Sequence, residues 1–435
     1  MNNLSNDEIN LLKKKIVSYE DFKHYIPNAE DLKDADHNQI MALLRKRSFY
    51  DDVVLEDDAQ VFLVNRGNKE EILTMFSVVS DWNHATEEAI VKCGDDEIIL
   101  AYLRQHRLHS KEARQLLIEL STEQSVVALI DRLLFVLDDD LQEMIINKKM
   151  LRCFFAHIKH HNLSIGAEVA LMSSDLTHPA LVYITRNSLS EAGEKAMLNN
   201  AKMKEVAGFY IDRTRLSEAG EALMIDIGSL QLIKRYIDRH PLGAQAMKKL
   251  IAQHEHLTAL LSYVQKHEIP AEAMEDFVTS ERVIAASRYF EHHHLTNFRH
   301  QEALAARGLK EMVMTYIGYY YLDDSAECLL LDRGWPDVIS FYLKRNGHFF
   351  ADAEEKWLPN ARHEDVMEVV KRHELCFSAE MMLIERGNSE EIKTYISNHY
   401  LYDRDAREKL LERGVKEEID IFVERYYPKI ADNNA

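Results

Sequence analysis

Glycine, proline and cysteine are scarce in this chain of 435 residues, which holds 14 Gly, 7 Pro and 4 Cys. The hairpins of β-sheet proteins draw heavily on glycine and proline, so a fold of many strands is disfavoured and helices are favoured. The cysteines stand far apart without a CxxC pair, which argues against a zinc knuckle or a disulfide framework. We expect buried free thiols at Cys93, Cys153, Cys328 and Cys376.

Long apolar runs are also missing from the sequence. No window approaches the roughly 18 apolar residues that a membrane span requires. The N-terminal stretch MNNLSNDEINLLKKKIVSYEDF carries acids and lysines where a secretory signal needs an apolar core. We therefore expect a cytoplasmic protein without a membrane partner.

Positive charge is in the minority, since 73 acidic residues against 53 basic ones give a net charge of -20. This balance repels a phosphate backbone on average, so nucleic acid is disfavoured as a partner, although a local basic strip could override the mean. The sequence also lacks a GxxxxGK[ST] phosphate loop, a strand-borne GxGxxG, an HExxH pair and a GxSxG elbow. We expect no cofactor and no catalytic residues.

What the sequence does contain is a repeated pattern. The segment MMLIERGNSEEIKTYISNHYL, around Gly387, returns in altered form around Gly67 and Gly414. Where the anchor is glycine, it suits the left-handed residue that closes a helix. The anchors recur about every 27 residues, near Gly67, Gly94, Leu120, Asn147, Asp175, Ala201, Gly228, Ala252, Thr279, Gly308, Gly334, Ala361, Gly387 and Gly414.

Each repeat reads as two short helices. The first, approximately AExxLLxRG, precedes the anchor, and in the second Ile392, Tyr395, Ile396 and His399 fall on one face at helical spacing. Helices of about ten residues are too short to be stable alone, so each repeat must bury its apolar stripe against its neighbours. The following loop supplies a capping residue for the next repeat, as at Ser164, Ser190, Ser217, Thr296 and Asp405.

The predicted fold is all-α, an α-α superhelix (α-solenoid) of about fourteen helical hairpins of about 27 residues each. We place an N-terminal helical cap at 1-50, the solenoid at 51-427 and a C-terminal tail at 428-435. Within the cap, Tyr19, Phe22, Tyr25 and Ile26 are spaced for an amphipathic helix.

A family resemblance accompanies this pattern. The units with GNKEEI, GDDEII and GNSEEI after a leucine-rich helix resemble short HEAT repeats, in particular the phycobilisome-lyase type, and less closely leucine-rich-repeat variants. The resemblance covers nearly the whole chain. It implies a solenoid shape and a bias toward protein binding, and it implies no reaction.

A tyrosine recurs at one place of the second helix, often with Arg or Lys three residues on and His four residues on. On one interpretation, the tyrosine packs in the seam between repeats and the basic residues bind free carbonyls at the helix end. On the other, they form an aromatic and cationic ridge for an acidic or extended protein partner. The strongest candidates for this ridge are Tyr236, Arg239, His240, Tyr263, Lys266, His267, Tyr289, His292, His293, Tyr316, Tyr319 and Tyr320.

The function predicted from these features is that of a non-enzymatic scaffold or adaptor, which holds another protein in its groove or along the ridge. Four His-Glu dipeptides begin at His254, His267, His363 and His373. They give the alternative, a metal-dependent modifying enzyme that resembles the di-iron deoxyhypusine hydroxylases, a HEAT-repeat family that binds its metals through four His-Glu pairs. A third interpretation is binding of single-stranded nucleic acid, which would use the aromatic and cationic residues of the ridge.

Overall fold

The computed structural model describes residues 26–47, 55–132 and 137–427. Within these ranges the regular elements are thirty α-helices and three short 3-10 helices, without a strand. The all-α prediction is therefore confirmed. The chain divides into two compact units, Met1–Tyr210 and Ile211–Ala435.

The first unit contains thirteen of the described α-helices and most of a fourteenth, which ends just past the boundary. Their bounds are α1 (Ala29–Leu32), α2 (His37–Arg47), α3 (Asp57–Arg66), α4 (Lys69–Val78), α5 (His84–Lys92), α6 (Asp96–Gln105), α7 (Lys111–Leu120), α8 (Glu123–Arg132), α9 (Asp139–Asn147), α10 (Leu151–Ile158), α11 (Ile165–Ser173), α12 (Thr177–Ile184), α13 (Glu191–Asn199) and α14 (Lys204–Ile211).

The second unit contains the remaining sixteen described α-helices. Their bounds are α15 (Glu218–Ile227), α16 (Leu230–Ile237), α17 (Ala244–Ala252), α18 (Leu257–Val264), α19 (Ala271–Val278), α20 (Val283–Phe290), α21 (Phe298–Arg307), α22 (Lys310–Tyr319), α23 (Asp324–Asp332), α24 (Pro336–Asn346), α25 (Ala351–Trp357), α26 (His363–Val370), α27 (Phe377–Arg386), α28 (Ser389–Asn398), α29 (Arg404–Arg413) and α30 (Lys416–Tyr426).

Helical hairpins stack in chain order within each unit. In the first unit α5 packs on α7 and α8 on α10, while in the second α21 packs on α23 and α20 on α22. Within each unit, odd-numbered helices thus form one layer and even-numbered helices the other, which is the packing of an α-solenoid. The number of repeats, about fourteen, stays a prediction, as do the bounds of the predicted cap and solenoid.

The predicted helix face and helix ends are found in the structure with two exceptions: His399 lies just past the end of α28, and Gly308 closes α21 in an extended and not a left-handed conformation. Ile392, Tyr395 and Ile396 of α28 are fully buried, as helical spacing requires. Four of the anchor glycines, at 67, 228, 387 and 414, close their helices in the left-handed conformation with φ between 65° and 78°. Glycine has no Cβ and therefore avoids the steric cost that an L-residue meets at such a φ.

The helix caps agree with the sequence at three positions and differ at two. The hydroxyls of Ser164, Ser190 and Ser217 each accept a hydrogen bond from the backbone N–H three residues on. The caps predicted at Thr296 and Asp405 lie instead at Asn297 and Asp403. A shift of one or two residues is possible because the neighbouring Asn and Asp side chains accept the same hydrogen bond equally well.

Some predictions fall outside the described residues or differ from the structure. Tyr19, Phe22, Tyr25 and the tail 428–435 lie outside the described ranges, and Ile26 is exposed. The four cysteines are free, yet only Cys153 is buried: Cys93 and Cys376 lie at helix ends, and Cys328 lies on a half-buried face of α23. No helix in the described ranges is both long enough and apolar enough to cross a membrane.

Candidate functional site

A buried carboxylate pairs with the recurring tyrosine in many hairpins. The glutamate lies on the odd-numbered helix and the tyrosine fifteen or sixteen residues later on the even-numbered helix. In the first unit, the Tyr183 hydroxyl donates to Glu168 Oε1 at 2.8 Å. In the second, Tyr236 donates to Glu221 at 2.7 Å and Tyr395 to Glu380 at 2.8 Å. These polar pairs are hydrogen-bonded in the interior, as buried polar groups must be.

Glutamates at this position also hold the loop that leads to the next hairpin, and Glu354 does so although Val369, not a tyrosine, lies fifteen residues on. Their second oxygen accepts a backbone N–H about 22 residues on: Glu327 Oε2 from Phe350 at 2.7 Å, Glu354 Oε2 from Cys376 at 2.7 Å, and Glu380 Oε2 from Asp403 at 2.7 Å. Burial raises the pKa of Glu327 and of Glu354 to about 7, because the charged form is desolvated. These carboxylates therefore bind each loop to the hairpin before it.

The tyrosines of the predicted ridge lie in this interior seam. Tyr236, Tyr263 and Tyr316 are fully buried and Tyr289 is 4% exposed. Burial raises the pKa of Tyr263 and of Tyr289 to about 12. The structure thus places these four rings where the seam interpretation puts them, between hairpins, and a partner cannot contact them without opening the core.

Two histidines of the predicted ridge, His240 and His267, bind backbone carbonyls of the helix before their own hairpin. His267 Nε2 donates to the Ile237 carbonyl at 2.6 Å, and His240 Nε2 donates to the Ile211 carbonyl at 2.9 Å. Helix ends leave such carbonyls without intrahelical partners, so this contact satisfies them. The predicted carbonyl contact therefore occurs, although the His267 ring reaches the end of α16 in the preceding hairpin and not the end of its own helix.

The basic residues of the ridge form ion pairs. Arg239 Nε lies 3.2 Å from Asp212 Oδ1, and Lys266 Nζ lies 2.5 Å from Asp238 Oδ1. His293 stacks on the Tyr289 ring with centroids 4.4 Å apart. The ridge residues that are exposed are Arg239, Lys266, His292 and Tyr319, while His240, His267, His293 and Tyr320 are half-buried.

The four His-Glu dipeptides face different neighbours. His254 Nδ1 accepts from the Arg282 guanidinium at 2.8 Å, and His363 Nδ1 lies 2.9 Å from Glu391 Oε1. His373 lies against the His348 ring with centroids 4.9 Å apart, and His267 binds the carbonyl described above. In the described ranges no group of three or more His, Cys, Asp or Glu side chains is placed to hold a metal ion.

A pocket of about 440 Å³ lies among α17, α19 and the start of α20. Its lining includes Lys248, His254, Asp276 and Arg282. Lys248 pairs with Asp276 at 3.3 Å, and the Arg282 guanidinium donates to His254 and to the Ile251 and Ala252 carbonyls. The cations of this pocket are therefore already engaged within the chain.

Exposed aromatic side chains cluster at one edge of the second unit, which we call the aromatic edge. They lie on or beside the loops that follow α22, α24, α26 and α28, and each is between 47% and 64% exposed. The His348 and His373 rings, in contact, join two of these loops. The aromatic edge consists of Tyr319, Tyr321, Phe350, Phe377, Tyr400 and Tyr402.

Sequence reasoning found only Tyr319 of this set. A signal was present, because Phe350 occupies the N-cap of α25 and Phe377 the first position of α27. Polar residues are preferred at N-caps, and the corresponding caps of α11 and α13 are serines. Phe350 therefore provides no side-chain capping bond at this position.

Comparison with known proteins adds little to this description. No family model matches the chain, and no curated protein matches it. A crystal structure described as an engineered protein is similar at 14% sequence identity, covering 97% of this chain and 98% of that chain, with a TM-score of 0.16. A TM-score this low does not support a common fold, so the fold assignment rests on the helices and their packing.

Proposed function

We propose that this protein is a non-enzymatic scaffold or adaptor that binds another protein along the aromatic edge of its second unit. The observation that carries the proposal is the set of six aromatic side chains that are about half exposed on successive loops. Aromatic residues are enriched at the centres of protein interfaces and dominate their binding energy. We keep the cytoplasm as the expected compartment, because the four cysteines are free thiols.

The loops of the aromatic edge are held in place, which favours binding. The backbone N–H groups of Phe350, Cys376 and Tyr402 each donate to a buried glutamate of the preceding hairpin. Phe377 begins α27 directly after Cys376. A side chain on a loop that is already ordered loses less conformational entropy when a partner binds, so more of the contact energy contributes to affinity.

Capture from the native lysate tests this proposal. The full-length protein, the double variant Phe350→Ala/Phe377→Ala and the control Ile165→Ala are compared at physiological salt, with and without nuclease, and bound proteins are quantified by mass spectrometry. Ile165 is a matched control because it is 62% exposed and, like Phe377, occupies the first position of an odd-numbered helix, α11.

We expect a protein that survives nuclease treatment and whose recovery falls about tenfold with the double variant, while the control retains it. Circular dichroism of each variant checks that the helices remain folded. Equal recovery by the wild type and the double variant would contradict the proposal. Loss of the captured protein on nuclease treatment would favour nucleic acid.

A further inference from the structure

We propose that the aromatic edge receives an extended, arginine-rich segment of its partner. This inference rests on the proposed scaffold function and adds the chemistry of what is bound. The sequence favoured an acidic partner, whereas this inference gives a basic one. The reason is that the cations of the predicted ridge are already paired within the chain, while carboxylates beside the aromatic edge are not.

The Arg and Lys side chains of the predicted ridge, although exposed, are already paired within the chain. Arg239 and Lys266 pair with aspartates, and His240 and His267 donate to carbonyls. At the aromatic edge itself, Arg345 donates to the carbonyls of Ile317 and Tyr319. Because Arg239 and Lys266 each have an aspartate beside them, the ridge offers an acidic partner little net attraction.

The carboxylates beside the aromatic edge are not neutralised in this way. Asp323 and Asp324 at the start of α23, and Asp352 and Glu355 in α25, form no ion pair with a Lys or Arg within the described residues. Burial, and next the charge of Asp352, raise the pKa of Asp324. An arriving cation would stabilise the ionised form of Asp324 beside Asp352, so this part of the edge is electrostatically complementary to a basic segment.

The exposed aromatic rings of the edge are the second feature that would bind arginine. One of them, Tyr400, already has Arg425 over it at 5.0 Å from the ring centroid. Elsewhere in the second unit, Arg333 lies over the Trp335 ring at 4.0 Å. Within the described residues, the rings of Tyr321, Phe350 and Phe377 have neither a cation nor another ring against them. Arginine stacks on such faces and also binds carboxylates in a fork, which lysine does less well.

The repeat distance favours an extended segment over a helix. Neighbouring hairpins are separated by about 9 Å, the usual distance between packed helices. In the extended polyproline II conformation a chain advances about 3.1 Å per residue with three residues per turn, so every third side chain lies on one face, about 9 Å from the last, and meets the next loop of the edge. One arginine at every third position would therefore place a guanidinium at each of the successive aromatic loops.

Binding of designed peptides tests the inference. The probe is a labelled peptide of about 15 residues with arginine at every third position and serine elsewhere, measured by fluorescence anisotropy against the full-length protein. One comparison peptide has the same composition but carries its arginines consecutively. The other has glutamate in place of each arginine. The protein variants are Phe350→Ala/Phe377→Ala and Asp324→Asn/Asp352→Asn.

The protein controls separate this edge from the general attraction of an anionic protein for a cation. Ile165→Ala removes an equally exposed apolar side chain elsewhere, and Asp57→Asn/Asp58→Asn removes the same charge from the first turn of α3. We expect each edge variant to weaken binding of the spaced arginine peptide about tenfold and each control to change it less than about twofold.

Each other result has a definite meaning. Equal weakening by edge and control variants, or preference for the glutamate peptide, would overturn the inference. If the lysate partner depends on Phe350 and Phe377 while no arginine peptide binds, the scaffold function stands and the basic partner is wrong. If sedimentation shows self-association that Phe350→Ala/Phe377→Ala abolishes, the edge binds a second copy of this chain and the inference is also wrong.

Discussion

The substitution Glu380→Ala is expected to lower the free energy of unfolding by about 3 kcal/mol. It removes the acceptor of three donors, the Tyr395 hydroxyl at 2.8 Å, the Tyr402 N–H at 3.1 Å and the Asp403 N–H at 2.7 Å. A buried donor left without a partner costs roughly 1–3 kcal/mol. Burial raises the pKa of Glu380, so removing a poorly solvated carboxylate offsets part of the loss.

The exposed neighbour Glu385 on the same helix is the matched control. Glu385→Ala is expected to change the free energy of unfolding by less than about 0.5 kcal/mol, measured for both variants by urea titration with circular dichroism. Amide hydrogen exchange should show faster exchange at Tyr402 and Asp403 in Glu380→Ala alone. Equal stability of the two variants would show that the carboxylate does not bind the loop as the structure describes.

The substitution Glu354→Gln is expected to stabilise the protein at pH 8 by up to about 3 kcal/mol and to have little effect near pH 4.5. Burial raises the pKa of Glu354 from 4.5 to about 7, so its ionised form is unfavourable in the fold. A neutral amide avoids this cost while its oxygen still accepts the Cys376 N–H. The chain itself uses this solution, since Gln142 and Gln301 accept the corresponding N–H of Ser164 and Asp323 at 2.8 Å.

The pH dependence follows from the direction of the shift. Because the folded-state pKa of Glu354 lies above its unfolded value of 4.5, the protonated group stabilises the fold fully below pH 4.5, and this contribution is lost as the pH rises through about 7. The difference in unfolding free energy between Glu354→Gln and wild type should therefore grow over that interval and level off above it.

Urea titrations of both proteins at several pH values measure this difference, with Glu355→Gln as the control for a change of charge at the adjacent position. The control should show no comparable growth, because Glu355 is not a buried residue. A difference that stays constant from pH 4.5 to pH 8 would contradict a raised pKa at Glu354.

The local features of the hairpins are predictable from the sequence because they depend on neighbours close in the chain. The spacing of Ile392, Tyr395 and Ile396 places them on one helical face whatever lies opposite, and all three are fully buried. Ser190 caps α13 and Gly387 closes α27 for equally local reasons, a side-chain acceptor within reach and a φ of 78°.

The sequence left two interpretations of the recurring tyrosines, a seam between repeats and a surface ridge, and the packing of the helices decides between them. A tyrosine at helical spacing has an apolar ring and a polar hydroxyl, so it suits a seam or a surface equally well. Only the packing of α16 against α15 within the hairpin brings Tyr236 to the Glu221 carboxylate and so allows its hydroxyl to be buried with a partner. The glutamate appears in the repeat pattern. Its hydrogen bonds, however, join it to residues that lie 15 and 22 or 23 positions later in the chain.

The sequence by itself determined the helical hairpin, its faces, most of its caps and the excess of negative charge, because each of these follows from composition or from contacts within one repeat. Only the tertiary structure decided which polar groups remain at the surface. Stacking buries the recurring tyrosines and pairs Arg239 and Lys266 with aspartates of the preceding loops. It leaves Phe350 and Phe377 exposed at the aromatic edge. Exposure depends on what the neighbouring hairpin covers, and that is a property of the packed chain, not of any one repeat.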